Sequence, residues 1–402
     1  MVMRKILTVI SALFISGIIS GQPAYDCLLK AKALNSSGKT DNAIDILSAE
    51  LQKNQDSRLL IERAEAYVIK EDYSNAIADY NTANSISHES AEYGLAKVYA
   101  MKGDAATSLY HLEMNLKSPF KKSEKDIMLD PAFSKIENRP EWRQFWKNDW
   151  FSVFDKSIAE IEYYLSAGKN EEAASVLSEL KNNYPGSESV SYAGALLNLS
   201  AGKYGEAVKS LSDLLTLNPD NEKYLRTLAK AQTGASNPAG ASVTYSKLIS
   251  MEIPDADLLL LRAECYKKTG ETSRAISDIA EYLSYYPENK IALSLAGKME
   301  AASGNNLKAL EYFSENLKLH PNDPECYIDR ANSYFLSKSW EWAIKDYSMS
   351  LDLAPGNSEV WLNKGIALVN TGKIDDACHD FKQSSALGNK KATDYISRYC
   401  IK

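Results

Sequence analysis

Between Phe154 and Asn389 the chain repeats itself every 34 residues. Units begin at Phe154, Glu188, Glu222, Ala256, Lys290, Pro324 and Ser358 and align without an insertion. The twentieth residue of each is alanine: Ala173, Ala207, Ala241, Ala275, Ala309, Ala343 and Ala377. A fixed period of this length calls for one supersecondary unit used repeatedly. Such a unit cannot bury its apolar face alone and must stack on its neighbours.

Within a unit the pattern is two short amphipathic helices. In the last one, Trp361, Gly365 and Leu368 fall at helical spacing, Gly372 breaks the chain, and Ala377 and Phe381 mark a second helix. The preceding unit offers Tyr327, Ala331 and Tyr334, then Ala343, Tyr347 and Pro355. Ala195, Ala229, Ala263, Gly297, Ala331 and Gly365 are small where the first helix must approach the second, which allows packing near the short end of the usual 8–10 Å range. Leu177, Leu211, Tyr245, Ile279, Phe313, Tyr347 and Phe381 supply the bulk between them. Glycines such as Gly168 and Gly372 suit a turn with left-handed backbone, and prolines such as Pro219 and Pro355 end the second helix. Ser236 and Lys338 replace the turn glycine, and Pro238 is expected to delay its helix.

These residues resemble the tetratricopeptide repeat pattern of a large apolar residue, Gly or Ala, Tyr, then Ala, an aromatic and Pro. The resemblance covers the seven units. It implies an all-α fold, an α-α superhelix. Three looser units before it, around Ala31 and Ala43, Ala64 and Ala76, and Ala96 and Leu112, bring the total to about ten helical hairpins in two arrays. The expected layout is an export signal at 1–21, a first array at 22–117, a Trp-rich connector at 118–153, the seven-unit array at 154–389 and a capping helix at 390–402. The connector carries Asp130-Pro131 as a helix start. Trp142, Trp146 and Trp150 form a stripe on a helix expected to run from Pro140 into the second array, plugging the first array and docking the second.

The signal rests on Arg4 and Lys5 followed by an apolar run, Ile6 to Ile19, too short for the ~20 residues of a transmembrane helix. Cleavage after Gly21 is one reading and an uncleaved anchor is the other. Cleavage would take the formal charge from -7 to -9 by removing the two cations. A mildly acidic exported chain is expected in the periplasm, secreted, or associated with the envelope. It is a poor match for nucleic acid, which wants a basic stripe, and it carries no second membrane-crossing run.

No pattern of reactive side chains emerges. His88, His111, His320 and His379 lack partners at metal-ligand spacing. Gly168-Lys169, Gly202-Lys203 and Gly372-Lys373 share one repeat phase and lack the rest of a phosphate loop. No catalytic, cofactor-binding or metal site is expected, and no enzyme. Cys378 and Cys400, on the last hairpin and the cap, are the candidate disulfide, with two buried free thiols as the alternative.

In the family resembled, the first helices line a concave face that commonly clasps an extended peptide or partner helix. On this register that face would carry Lys223, Arg226 and Lys230 in one row, with Lys267 and Lys298 beyond. Ile328, Asn332, Phe335, Leu362, Ile366 and Val369 would form a largely apolar floor near the carboxyl end. The expectation is a protein partner with acidic groups over the cations and apolar anchors beyond. The other reading of the charges is a solvated helix face. The expected function is a non-catalytic interaction scaffold. The alternatives are an assembly subunit of an envelope or secretion complex held by its outer faces and, less favoured because no His-Pro-Asp motif occurs, a lumenal co-chaperone.

Overall fold

The computed structural model describes residues 23–400. The export-signal reading of residues 1–21 lies outside them. All regular structure among the described residues is helical, with 23 α-helices, one 3-10 turn and no strand. The chain divides into two compact units, Met1–Lys147 and Asn148–Lys402.

The first unit contains three hairpins: α1 (Pro23–Ser36) with α2 (Thr40–Leu51), α3 (Ser57–Ile69) with α4 (Tyr73–Ile86), and α5 (Glu92–Met101) with α6 (Ala105–Lys117). After them come α7 (Glu124–Met128), a 3-10 turn (Pro131–Phe133) and α8 (Pro140–Phe145). Asp130 caps the 3-10 turn through the Ala132 N–H and accepts the Tyr93 hydroxyl of α5 at 2.8 Å. The turn packs on α5 and α8 packs on α6, burying Ile127, Phe133, Ile136, Trp142 and Phe145. These side chains close the end of the third hairpin. The continuous helix expected from Pro140 onward does not form. α8 stops at Phe145, and Trp146 and Trp150 lie outside any helix. A new helix starts at Val153 because Ser152 and Asp155 make a reciprocal capping box, each side chain accepting the other's backbone N–H.

The second unit stacks seven hairpins. They are α9 (Val153–Ser166) with α10 (Asn170–Asn183), α11 (Glu188–Ser200) with α12 (Tyr204–Leu217), α13 (Glu222–Gly234) with α14 (Pro238–Ser250), and α15 (Asp257–Thr269) with α16 (Thr272–Tyr285). Then come α17 (Lys290–Ala302) with α18 (Asn306–Leu319), α19 (Pro324–Leu336) with α20 (Trp340–Leu353), and α21 (Ser358–Asn370) with α22 (Ile374–Ala386). A single helix, α23 (Lys390–Tyr399), completes the unit.

The small and bulky positions do what their spacing requires. All seven phased alanines are 0% exposed. The bulky set from Leu177 to Phe381 is buried throughout. A Cβ added to Gly297 would sit 2.4 Å from the Phe313 ring, and one on Gly365 would sit 2.5 Å from Phe381, so these two helix pairs need hydrogen at the crossing. Asn221, Asn289, Asp323 and Asn357 recur at one phase, and each caps the helix it precedes.

Two departures from the pattern resolve simply. Pro238 delays nothing. It occupies the first turn of α14, where a missing N–H costs no hydrogen bond. Ser236 and Lys338 take the left-handed conformation of the glycines they replace, at φ 56° and 59° against 71° to 83° for Gly168, Gly202, Gly270, Gly304 and Gly372.

At the carboxyl end, Ala392, Tyr395, Ile396 and Tyr399 of α23 pack on a cluster that includes Phe381 and Leu368. Cys378 of α22 and Cys400 at the end of α23 form a disulfide, with Cα atoms 5.6 Å apart.

Candidate interaction groove

The curvature of the second unit shows in which helices meet. α9 touches α11, α11 touches α13, and α17 touches α19, while no comparable contact joins successive second helices. The first helices therefore lie on the inner side.

Across this inner side the expected cations are mostly already matched. Lys223 Nζ reaches Glu162 at 2.9 Å and lies 4.7 Å from the centre of the Tyr192 ring. Tyr192 in turn shares a 2.8 Å hydrogen bond with Thr227. These contacts tie α9, α11 and α13 together across the face. Arg226 pairs with Glu222 and Asp255, both at 2.7 Å. Lys267 pairs with Glu264 at 2.9 Å and Lys298 with Asp329 at 2.8 Å. Lys230 alone of the five has no ion pair among the described residues. The other four each meet a carboxylate: Lys223 and Lys298 from another first helix, Arg226 from its own helix and the loop before α15, and Lys267 from its own helix.

The carboxyl end of the face is different. Ile328, Asn332, Phe335 and Leu336 of α19, with Asn357, Glu359, Val360 and Asn363 before and along α21, line a cavity of about 450 Å³. Behind this lining lies the buried Tyr347, whose hydroxyl donates to Asn332 Oδ1 at 2.7 Å and also bonds the Asn363 side chain. Burial pushes the Tyr347 pKa up, the Asn363 hydrogen bond opposes this, and the nearby Glu359 charge adds to it. The hydroxyl therefore stays protonated and holds both amides. Phe335 is wedged edge-on against Trp340. Leu336 is 76% exposed at the rim.

Of the expected floor, Ile328, Asn332 and Phe335 line this cavity. Leu362 does not. It is 5% exposed, buried in one cluster with Leu368, Phe381 and, from the cap, Ala392. Ile366 and Val369 are half-buried in the same cluster. A smaller cleft of about 310 Å³ lies at Tyr245, Leu261 and Cys265, and burial raises the Cys265 thiol pKa. Among the described residues no group of three His, Cys, Asp or Glu side chains could hold a metal ion, and no helix is long and apolar enough to cross a membrane.

The tetratricopeptide repeat family profile matches residues 260–324, and a second profile of the same description matches residues 161–187. These two stretches carry tetratricopeptide repeats. It is 27% identical over 153 residues to the DnaJ homolog subfamily C member 7 homolog of Schizosaccharomyces pombe, a match covering 33% of this chain and 32% of that one. It is 29% identical over 106 residues to tetratricopeptide repeat protein 36 of Homo sapiens, covering 25% of this chain and 56% of that one. The chain thus spans between a third and a little over half of the length of these curated relatives. Among solved structures, the C-terminal part of a TPR repeat-containing protein from Cytophaga hutchinsonii superposes with a TM-score of 0.51 at 17% identity, covering 59% of this chain and 98% of that one. It shares the fold.

In tetratricopeptide repeat terms, the cavity lies between the first helices of the last two full repeats. Sequence reasoning placed Ile328, Asn332 and Phe335 there but passed over Leu336 and Asn363. Both have a readable signal. Leu336 is an apolar residue beside a turn, and Asn363 is a polar residue one helical step from the inner positions.

Proposed function

We propose that this protein is a non-catalytic interaction scaffold that receives an extended segment of a protein partner on its inner face, with the α19–α21 cavity as the anchor. The observation that carries this reading is the cavity's composition. Apolar walls from Ile328, Phe335 and Leu336 surround two amides whose orientation Tyr347 fixes. A cavity of this kind, apolar with a few placed polar groups, is the common form of a recognition site. The amides can hydrogen-bond the main chain of an extended segment while the walls take one side chain. An exported compartment for this activity is part of the proposal and rests on residues 1–21.

Capture tests the reading. Purified wild type, Leu336→Ser and Trp342→Ser would be used as bait on envelope extract of the source cells. Leu336 and Trp342 are both exposed, so neither change should disturb folding. Loss of captured proteins with Leu336→Ser but not Trp342→Ser is expected. The reverse would favour the assembly reading, in which outer residues make the contacts. Trp342 supports that second reading to the extent that it is 58% exposed and stacked on Tyr334.

A further inference from the structure

The charges around the α19–α21 cavity define its occupant more closely, an inference that rests on the groove reading. First-turn carboxylates recur along the inner helices, as helix N-termini favour. In most repeats they are engaged. Asp155 closes the capping box with Ser152. Glu188 accepts from Asn218 at 2.6 Å and Glu222 pairs with Arg226. Asp257 hydrogen-bonds the Tyr282 hydroxyl.

Glu325 and Glu359 break this pattern. Both are exposed, and neither side chain makes an ion pair or hydrogen bond among the described residues. Glu359 lines the cavity. Glu325 lies one turn before Ile328 on the same helix, which puts the two on one face. The inner cations nearest along the array, Lys267 and Lys298, are held by Glu264 and Asp329, and Lys290 is held by Asp323 at 2.5 Å. Glu359 is the one charged residue in the lining and is unpaired, so the cavity is an apolar socket whose own charge is negative. The expectation from sequence puts the cations in the earlier repeats and apolar anchors without a charge at this end of the face.

We propose that the occupant is an extended protein segment with a bulky apolar side chain flanked by lysine or arginine. The apolar side chain enters between Ile328, Phe335 and Leu336. The Asn332 and Asn363 amides take main-chain groups. Glu325 and Glu359 meet the flanking cations. Opposite charges at such a rim act mainly on specificity and association rate, and salt screens them.

Fluorescence anisotropy with two short synthetic peptides tests this. Both carry a central Leu-Phe pair, one flanked by lysines and the other by glutamates. The lysine peptide is expected to bind wild type at least about tenfold more tightly. Raised salt should narrow the difference, and the Glu325→Gln/Glu359→Gln double variant should nearly abolish it. Leu336→Ser should weaken both peptides alike. Equal or tighter binding of the glutamate peptide, lost in Leu336→Ser, would overturn the charge assignment and leave the groove in place. Binding of the lysine peptide that Leu336→Ser does not change would overturn the groove reading itself. Binding of neither peptide would overturn the proposed occupant, and the capture experiment would then decide the groove separately.

Discussion

Arg330 and Asp346 face each other across the α19–α20 hairpin as a two-pronged ion pair, with Nε to Oδ2 at 2.7 Å and the second prong at 2.9 Å. The same arrangement joins Arg63 to Asp79 and Arg262 to Asp278, always sixteen residues apart. A serine of the preceding hairpin accepts a third guanidinium bond in each: Ser48, Ser246 and Ser314. The last hairpin has Lys364 opposite Asp380 at 3.2 Å, a single ammonium where the others have a fork. These pairs tie the two helices of a hairpin together and to the hairpin before it.

Removing the cation from such a pair leaves a buried carboxylate without compensation. Arg330→Met should destabilise the second unit by about 3 kcal/mol, whereas Arg330→Met with Asp346→Leu should recover most of it. Lys364→Arg should go the other way, gaining about 0.5 kcal/mol or more, since the planar fork matches both carboxylate oxygens. Urea titration followed by circular dichroism measures all three.

The turns at Ser236 and Lys338, like those at Glu71 and Glu252, hold left-handed backbone that a side chain disfavours. Lys338→Gly and Ser236→Gly should each stabilise the array by about 1 kcal/mol, less the extra entropy glycine gives the unfolded chain. The same change at exposed Lys203, which precedes a helix at φ -82°, should destabilise. Thermal midpoints compared across the three variants would show the opposite signs.

The Cys378–Cys400 disulfide closes a loop of sequence separation 22. Chain-entropy arguments give such a crosslink about 3 kcal/mol. In a stacked array this stabilisation is felt locally, where the last helix meets the stack. Reduction should therefore raise amide exchange in α23 and the end of α22. The hairpins of the first unit should not change. Hydrogen exchange with and without a dithiol reductant checks this.

Asp323 caps α19, and its hydrogen bond with Lys290 holds its carboxyl below the usual range, while partial burial opposes. The unfolded value is about 3.9. The lowered folded value means that the pair's stabilisation is present above that pH and is lost as pH falls through the folded pKa. Asp323→Asn keeps the cap and removes the titration, so its stability should fall less steeply below about pH 4. Burial raises Asp278 instead, which favours the folded state as pH falls, so a variant there should show the opposite trend.

The fold was legible because packing at a helix crossing depends on side-chain size, and size is written directly in the residue at each phase. Ala173 through Ala377 needed no more than a count. The connector was less legible: its tryptophans have helical spacing, yet the Ser152 capping box, a local hydrogen-bond pair, restarts the helix. The inner surface was legible by position but not by charge. Lys223 and Glu162 are far apart in sequence, and only the stacking of α9, α11 and α13 shows that one neutralises the other. Leu362 was expected on the open floor, yet it is buried in a cluster that includes Ala392 of the cap, outside the repeat.

The groove is tested most directly by photo-crosslinking in intact cells, with a photoreactive amino acid placed in turn at position 336, inside the rim of the α19–α21 cavity, and at position 342, outside it. A groove that holds a partner predicts a discrete crosslinked protein from position 336, suppressed when Asn332 and Asn363 are both changed to alanine, and none from position 342. A partner trapped at position 342 and absent at position 336 would contradict it.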